Sequence, residues 1–560
     1  MNRSATLDVA PNTMLRTEGR SMKKMWFALA ALVAVSGSAL EAQTFPTDDA
    51  VIRQMWQEGM EDGSQIYELA QTLLDSIGPR LTGTPGYERA GEWLQEIYAS
   101  WGIEVETQEY GTWRGWERGI THVDLIEPRV RTLNATMMAW SPGSDGVVDA
   151  DVIALPTFTD AGQFDAWLPQ VAGNAVSISF PEPTCRAPES WEERATAASW
   201  ERLQTERREA ETAWTRSLLI AAGMERGSGR GAEAAVARRL EQAGAVAIFR
   251  ALWSDGWGAD KIFDASTSES PTIQLSCEDY GLVTRLAQRD QSPRVRIEAE
   301  AEFTGDVPAF NVVATIPGTE LPDEYVLLGA HLDSWDGASG ATDNGTGTLM
   351  MLEAARILKA AYPSPRRTIV IGHWNAEEQG LIGSNAFQAD NPDVMDGLQA
   401  GFNQDNGTWR VDYIRMMGFT GAGAHFARWF SAIPSEITQH IELDIPGLPE
   451  SGGSDHMSFL CVPAPSFRFQ SNYPDYRQYT WHTGIDTFDK IVFDDLRNNA
   501  TLAAMVAYLA SEDPERVPRD MRELPTTRPD GPMRVSRRTQ NAGAVGQWPQ
   551  CRTPRRSYGN

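Results

Sequence analysis

Histidine and acidic side chains follow three apolar runs in the second half of the chain. His331 and Asp333 end the first run, and Asp343 lies on the Gly/Ser-rich loop behind it. Glu377–Glu378 end the second run, and Asp405 ends the third. In open α/β sheets, sites form just past the carboxyl ends of strands. The sequence therefore predicts that these side chains lie near one another.

Such residues suit a pair of zinc-like ions, because His482 on a later loop adds a second imidazole to the carboxylates. A carboxylate can bridge two ions about 3.5–4 Å apart, and the pair polarises a carbonyl and lowers the pKa of a shared water. Of Glu377 and Glu378, one can bind metal while the other takes the water's proton and later passes it to a leaving amine. Asp333 can accept the second imidazole N–H of His331. These residue types predict a two-metal hydrolase.

Alternating strand and helix patterns after residue 308 are expected to position these residues. Buried strands are predicted at 326–328 and 368–374, a third strand end at 400–405, and a closing helix over 489–509. Repeated strand–helix units predict a doubly wound mixed sheet with helices on both faces. An earlier helix is predicted over 87–101, with Gly102 as its stop.

The segment 121–300 has a different texture. Short apolar stretches are separated by Gly/Pro turns, and a charged amphipathic helix is predicted over 189–214. No cluster of His, Cys or acidic residues has the spacing of metal ligands there. We therefore expect a β-rich insertion with a few helices and the role of a lid or binding module.

Bulk composition excludes some functions. The length of 560 residues predicts two or three domains. The formal net charge of −27 argues against the basic surface that nucleic-acid binding requires. Lys23 and Lys24 precede an apolar run at 25–35 and then small residues, which predicts a secretory signal too short to span a membrane. We expect export to the periplasm or outside the cell, with translation starting at Met1 or Met22.

The four cysteines include no CxxC pair, which excludes a zinc knuckle or a thioredoxin motif. Cys185 with Cys277 is the preferred disulfide, although the pairing stays open.

Six ordered motifs in the second half resemble the M28 family of zinc metallopeptidases, which includes aminopeptidases and relatives of carboxypeptidase Q and glutamate carboxypeptidase. The motifs are H-L-D (331–333), T-D-N-G (342–345), N-A-E-E-Q-G-L-I-G-S (375–384), N-Q-D (403–405), G-G-S-D-H-M-S-F (452–459) and H-T-G-I-D-T (482–487). The resemblance implies two Zn²⁺ ions bridged by Asp343. It implies that His331 and Asp405 complete one site and Glu378 and His482 the other. It further implies Glu377 as general base, Asp333 as the group orienting His331, and a cis bond between Asp343 and Asn344.

The residue patterns and the resemblance together predict a domain organisation. Residues 1–42 would be an N-terminal extension and signal peptide, and 43–120 the first part of a zinc-exopeptidase-like domain. Residues 121–300 would be an inserted protease-associated (PA)-like domain, and 301–512 the dizinc peptidase domain. Residues 513–560, which are rich in Arg, Pro and polar residues, would form a flexible tail.

The implied function is an exported dizinc exopeptidase acting on terminal bonds of peptides or dipeptides, with aminopeptidase or dipeptidase activity favoured. A carboxypeptidase, a mononuclear glutaminyl cyclase and a receptor-like binding protein are the alternatives. The expected partner is a peptide substrate, without nucleic acid or a membrane span, and a homodimer stays open.

Several residues near the motifs have open roles. One of Tyr473, Tyr476 and Tyr479 is expected to hydrogen-bond the oxyanion. His373 is expected to be a core group, and Asp455 to shape the pocket rim. Four arginines near the motifs are expected to be solvated: Arg80, Arg410, Arg468 and Arg477. Of these, Arg410, Arg468 and Arg477 could instead recognise a carboxylate of the substrate.

Overall fold

The computed structural model describes residues 45–405, 407–450, 453–524 and 548–559. The predicted signal segment at 1–42 lies outside these residues. Within the described ranges, no helix combines the length and hydropathy that crossing a bilayer requires.

Three helices lead into the first strand. They are α1 (Ala50–Met60), α2 (Ile66–Gln71) and α3 (Pro85–Ser100), and β1 (Glu104–Glu127) follows. Pro85 occupies the first turn of α3, where its missing N–H is not needed. Gly102, in the turn after α3, has a φ of 67°, which lies in the left-handed region that favours glycine. Gly102 therefore ends α3 as predicted.

The segment 121–300 forms eight further strands and five helices among its described residues. The strands are β2 (Arg131–Thr132), β3 (Ala135–Met137), β4 (Val148–Ala154), β5 (Ala175–Ser177), β6 (Ala247–Arg250), β7 (Trp253–Gly256), β8 (Ala259–Asp260) and β9 (Thr272–Leu275). The helices are α4 (Ala161–Trp167), α5 (Pro188–Arg194), α6 (Ala197–Ala221), α7 (Gly229–Gln242) and α8 (Cys277–Gln288). The helix predicted over 189–214 is present as α5 and α6. Strands β4, β5, β6 and β9 are parallel neighbours, so the insertion is mixed α/β where the sequence predicts a β-rich unit.

The second half alternates strands and helices, as predicted. Its strands are β10 (Arg294–Ile316), β11 (Leu321–His331), β12 (Arg367–Trp374), β13 (Leu398–Gln404), β14 (Val411–Arg415), β15 (Glu442–Asp444) and β16 (Ser466–Ser471). Its helices are α9 (Thr346–Ala361), α10 (Ile382–Asp390), α11 (Pro392–Gly397), α12 (Ala422–Ala432), α13 (Ser435–Thr438), α14 (His456–Leu460) and α15 (Phe493–Glu512).

One mixed sheet connects the two regions in the described part of the chain. Its order is β15-β14-β16-β13-β11-β12-β10-β4-β5-β6-β9-β3. Strand β11 lies between β12 and β13 and is parallel to both. The long strands β1 and β10 pair antiparallel over almost their whole length and carry the chain into the insertion and back. The predicted mixed sheet is therefore confirmed.

The core covers both faces of this sheet. Every residue of β12 is buried, as expected for a strand covered on two sides. Helices α9 and α15 belong to the cluster on one face, together with Leu328 and Ile371. Trp374, Phe387 and Phe459 belong to a second cluster with Leu327. Because side chains alternate along a strand, the two clusters lie on opposite faces.

Two disulfides join distant parts of the described chain. Cys185–Cys277 joins two parts of the insertion, which confirms the preferred pairing. Cys461–Cys551 ties the C-terminal segment to the residue after α14. The sequence predicts a flexible tail after residue 513, but residues 548–559 are docked. The main-chain oxygen of Arg556 accepts a hydrogen bond from Thr112 N at 2.9 Å, and its side chain pairs with Asp390. Composition could not reveal these contacts.

Candidate active site

Three strand ends bring the predicted site residues to one edge of the sheet. His331 ends β11, Glu377–Glu378 follow β12, and Asp405 follows β13. Because these strands are parallel neighbours, their carboxyl ends meet at the same edge. Asp343 reaches this edge from the loop before α9, and His482 reaches it from the loop before α15.

The five predicted ligands form two groups that share Asp343. His331 Nε2 lies 3.5 Å from Asp343 Oδ1 and 3.3 Å from Asp405 Oδ1. His482 Nε2 lies 3.1 Å from Asp343 Oδ2 and 2.9 Å from Glu378 Oε2. In each group the ligand atoms all lie within 4.8 Å of one another. The two oxygens of Asp343 therefore face different groups.

A buried carboxylate holds the loop of Asp343. Asp486 accepts hydrogen bonds from the main-chain N–H groups of Thr342 and Asp343 at 3.0 and 3.1 Å. It also accepts the Thr342 hydroxyl at 2.9 Å. The Asp343–Asn344 bond is cis, as the resemblance implies. Asp486 stands in a motif of the sequence, but only the structure shows what it contacts.

Arg80 is not the solvated cation that the sequence predicts. Its side chain is fully buried and donates to the carbonyl oxygens of Leu332, Ser339 and Gly340 at 2.7, 2.6 and 3.1 Å. Those acceptors lie on the loop between His331 and Asp343. Arg80 therefore fixes the loop that separates two of the ligands.

Asp333 contacts its neighbours differently from the prediction. His331 Nδ1 lies 2.9 Å from the main-chain oxygen of Asp333 and 3.6 Å from its carboxylate. The carboxylate instead accepts the main-chain N–H groups of Glu377 and Glu378 at 3.1 and 3.3 Å. Asp333 thus orients the imidazole through its backbone and the adjacent glutamates through its side chain.

An aromatic wall surrounds His482. The ring of Trp481 stacks on it at 3.9 Å, Phe263 meets it edge-on at 5.1 Å, and Trp335 lies at 5.8 Å. Trp335 Nε1 also donates to Glu378 Oε2 at 2.9 Å. His482 has a φ of 56°, a left-handed conformation that is uncommon for residues other than glycine and occurs often at functional sites.

The insertion holds the loop that carries His482. Lys261 Nζ donates to the main-chain oxygens of Arg477 and Trp481, each at 2.6 Å. Ile262 N donates to the main-chain oxygen of His482 at 2.7 Å. Burial lowers the pKa of Lys261 to about 7, and the nearby Arg477 contributes to this lowering. The insertion is therefore part of the site, although its sequence contains no cluster of residues with the spacing of metal ligands.

A cluster of buried charged residues, and not the insertion, supports Asp405. Arg468 donates to its main-chain oxygen at 3.4 Å and pairs with Glu450 at 3.0 Å. Glu450 also lies 3.1 Å from Arg415 and 2.9 Å from His456. All four members of this cluster are buried, so Arg468 is not the solvated cation that was predicted.

Two further predictions concern buried groups. Asp455 is fully buried and so does not lie at the pocket rim; burial raises its pKa to about 7 although nearby His331 opposes the change. His373 is a core residue, as predicted, and its Nε2 lies 2.7 Å from the hydroxyl of Tyr98.

The carboxylates of the site strongly influence one another. Burial raises the pKa of Glu377 well above its ordinary value; nearby Asp405 and Asp455 add to this, and His331 opposes it. Burial raises the pKa of Glu378 to about 7. Burial alone would lower the pKa of His331, but Glu377 and the other surrounding carboxylates raise it well above its ordinary value.

One of the three candidate tyrosines is electrostatically close to the ligands. Burial raises the pKa of Tyr476 well above its ordinary value, and Asp343, Asp405 and Glu378 raise it further. Tyr473 instead bonds Thr480 at 3.1 Å, and Tyr479 packs near Gly256 of the insertion. Tyr476 is therefore the candidate whose hydroxyl is influenced by the charges of three proposed ligands.

The donor set fits a pair of divalent cations. Six carboxylates are gathered with two imidazoles at this edge of the sheet: Asp333, Asp343, Glu377, Glu378, Asp405 and Asp455. Buried carboxylates are costly unless cations compensate them. Imidazole and carboxylate are also ligands that zinc accepts in catalytic sites. The arrangement can therefore hold metal.

Comparisons with known proteins agree with this chemistry. Residues 311–507 match the model of Peptidase family M28. Carboxypeptidase Q of Bos taurus is 25% identical over 459 residues, which cover 81% of this chain and 87% of that protein. Carboxypeptidase Q of Mus musculus is 26% identical over 463 residues, with the same coverage of both chains.

A solved structure also shares the fold. The Peptidase M28 precursor from Shewanella amazonensis SB2B has a TM-score of 0.58 and 22% identity, covering 84% of this chain and 97% of that chain. Residues 121–300 make up a larger part of the chain than the part that this match leaves uncovered. The shared fold therefore extends into the insertion.

Proposed function

We propose that this chain, which belongs to peptidase family M28 and is a metallopeptidase, is an exopeptidase that uses two zinc ions. The observation that carries this proposal is the pair of donor groups sharing Asp343. His331 and Asp405 would hold one ion with Asp343. Glu378 and His482 would hold the other.

The proposed reaction is hydrolysis of a terminal peptide bond. Bound zinc would supply polarisation of the scissile carbonyl and acidification of a water. Glu377 would accept the water's proton and deliver it to the leaving amine. Tyr476 would donate its hydroxyl to the developing oxyanion. Asp333 would keep Glu377 and Glu378 in place through their main-chain N–H groups.

The sequence resemblance and the named relatives favour different ends of the peptide. The sequence resemblance favours an aminopeptidase or dipeptidase, whereas the relatives named carboxypeptidase Q favour action at a C-terminus. A free dipeptide carries both termini at one scissile bond. Dipeptides are therefore the first substrates to test.

Export is the proposed location. The two disulfides favour an oxidising compartment, because cytosolic thiols are kept reduced.

The test is release of amino acids from dipeptides and from longer peptides blocked at either end. The protein would be assayed as purified, after chelation, and after zinc is restored, with Glu377→Gln beside it. We expect activity that follows zinc content and is lost in the variant. A protein that binds two zinc ions but cuts none of these peptides would refute the substrate class. One zinc per chain would favour the cyclase alternative, and no zinc the binding-protein alternative.

A further inference from the structure

Two guanidinium groups flank the aromatic wall beside His482. Arg230, on α7 of the insertion, lies 4.4 Å from the ring centre of Phe263. Arg477 lies 4.2 Å from the ring centre of Trp481. Phe263 and Trp481 both contact the His482 ring. One aromatic ring therefore separates each guanidinium from a proposed zinc ligand.

Both side chains are exposed, and neither forms an ion pair with a described residue. Other arginines considered for carboxylate recognition are already paired: Arg410 bonds Asp495 at 2.9 Å, and Arg468 bonds the buried Glu450. The chain as a whole has a net charge of −27. Two cations without carboxylate partners beside the centre are therefore available to an anionic ligand.

The surrounding structure fixes where these cations stand. Ser228 caps α7 by accepting the N–H of Gly231 at 3.1 Å, which holds the backbone at Arg230. Lys261 bonds the main-chain oxygen of Arg477, which holds the second cation. Stacking on an aromatic ring also limits the orientations of a guanidinium while leaving its N–H donors free.

We propose that Arg230 and Arg477 form a subsite for a carboxylate of the peptide substrate. This inference rests on the proposed peptidase function and adds the class of substrate, namely short peptides with a negative charge close to the scissile bond. Guanidinium groups suit this task because their planar N–H donors match the two oxygens of a carboxylate. The carboxylate has two sources, the C-terminus of a short peptide or an acidic side chain.

The experiment measures binding separately from turnover. Alanyl-phenylalanine, its C-terminal amide and alanyl-glutamate amide would be titrated into zinc-loaded Glu377→Gln protein. The same titrations would use this protein with Arg230→Gln and Arg477→Gln added. Arg238→Gln, an exposed arginine on the same helix, is the matched control, and thermal unfolding checks that each variant is folded.

We expect the double arginine variant to weaken binding of alanyl-phenylalanine about 10-fold or more, with no change for its amide. A loss for alanyl-glutamate amide as well would add acidic side chains to the ligands of the subsite. The control should bind every peptide like its parent. Equal losses for all three peptides, losses under twofold for both the free dipeptide and alanyl-glutamate amide, or no binding of any peptide would overturn the subsite.

Turnover by the otherwise unchanged protein separates this inference from the proposed function. With the arginine variants, KM for the free dipeptide should rise while kcat stays nearly constant. If the unchanged protein hydrolyses none of the peptides but binds them in an arginine-dependent way, the peptidase proposal fails and the subsite stands.

Discussion

The two halves of the candidate centre are held by different parts of the molecule. His331 and Asp405 stand at the ends of central strands, and the buried cluster around Glu450 supports Asp405. His482 stands on a loop, and the insertion holds that loop through Lys261 and Ile262. The first half therefore depends on the sheet. The second half joins Glu378, which follows β12, to His482, whose loop depends on a contact with the insertion.

This difference suggests how one fold can keep its chemistry while its substrates change. The sheet fixes ligands at the ends of neighbouring parallel strands, where small movements are resisted by a packed core. The insertion contributes Phe263 and Arg230 beside the second half. Changes in the insertion should then alter one half of the centre and substrate binding before they alter the other half.

The largest effect is expected where the two halves meet. Asp343→Asn weakens both donor groups, because each includes one oxygen of Asp343. We expect fewer than one zinc per chain and activity at the background rate, measured by metal analysis and dipeptide hydrolysis. Asp405→Asn and Glu378→Gln are the matched variants, and each should keep one zinc. Retention of two zinc ions by Asp343→Asn would refute the shared carboxylate.

Glu377→Gln should remove catalysis while leaving both halves loaded. The carboxyl group is proposed to move the proton, and its loss should lower kcat/KM about 10²- to 10⁴-fold. Zinc content should stay unchanged, and the acid limb of the pH profile should disappear with the titrating group. The adjacent Glu378→Gln variant should instead lose metal. If the two variants lose the same amount of zinc, the separate roles of these neighbours are wrong.

Much of this centre could be predicted because strand ends are visible in sequence. Apolar runs show where β11 and β12 lie, and parallel neighbours must bring their ends together. The sequence does not reveal the burial of Arg80, because its carbonyl acceptors lie about 250 residues away in sequence on another loop. The role of Lys261 was hidden for the same reason, since its acceptors belong to a distant loop. Motif patterns identify donors of metal ligands, but not the long-range contacts that hold them.

Tyr476→Phe tests which tyrosine serves the centre. The hydroxyl is proposed to bind the oxyanion, so its removal should lower kcat about 10²-fold with little effect on zinc content. Tyr473→Phe and Tyr479→Phe are controls, because Tyr473 bonds Thr480 and Tyr479 packs against the insertion. Steady-state kinetics on one dipeptide compares all three. A larger loss in either control would move the role to that residue.

Lys261→Met gives the smallest expected effect and the sharpest test of the difference between the halves. Methionine keeps much of the apolar stem but removes both hydrogen bonds to the His482 loop. Groups that orient metal ligands typically change metal affinity 10- to 100-fold. We expect a loss of about 10-fold in zinc affinity, because Ile262 N still bonds the main-chain oxygen of His482.

Stepwise zinc titration should show one weakened ion and one unchanged ion. The Lys359→Met variant, which removes a lysine from α9, should leave both unchanged. Equal weakening of the two ions by Lys261→Met would mean that the insertion supports the whole centre, since the sheet alone would then not hold the His331 half.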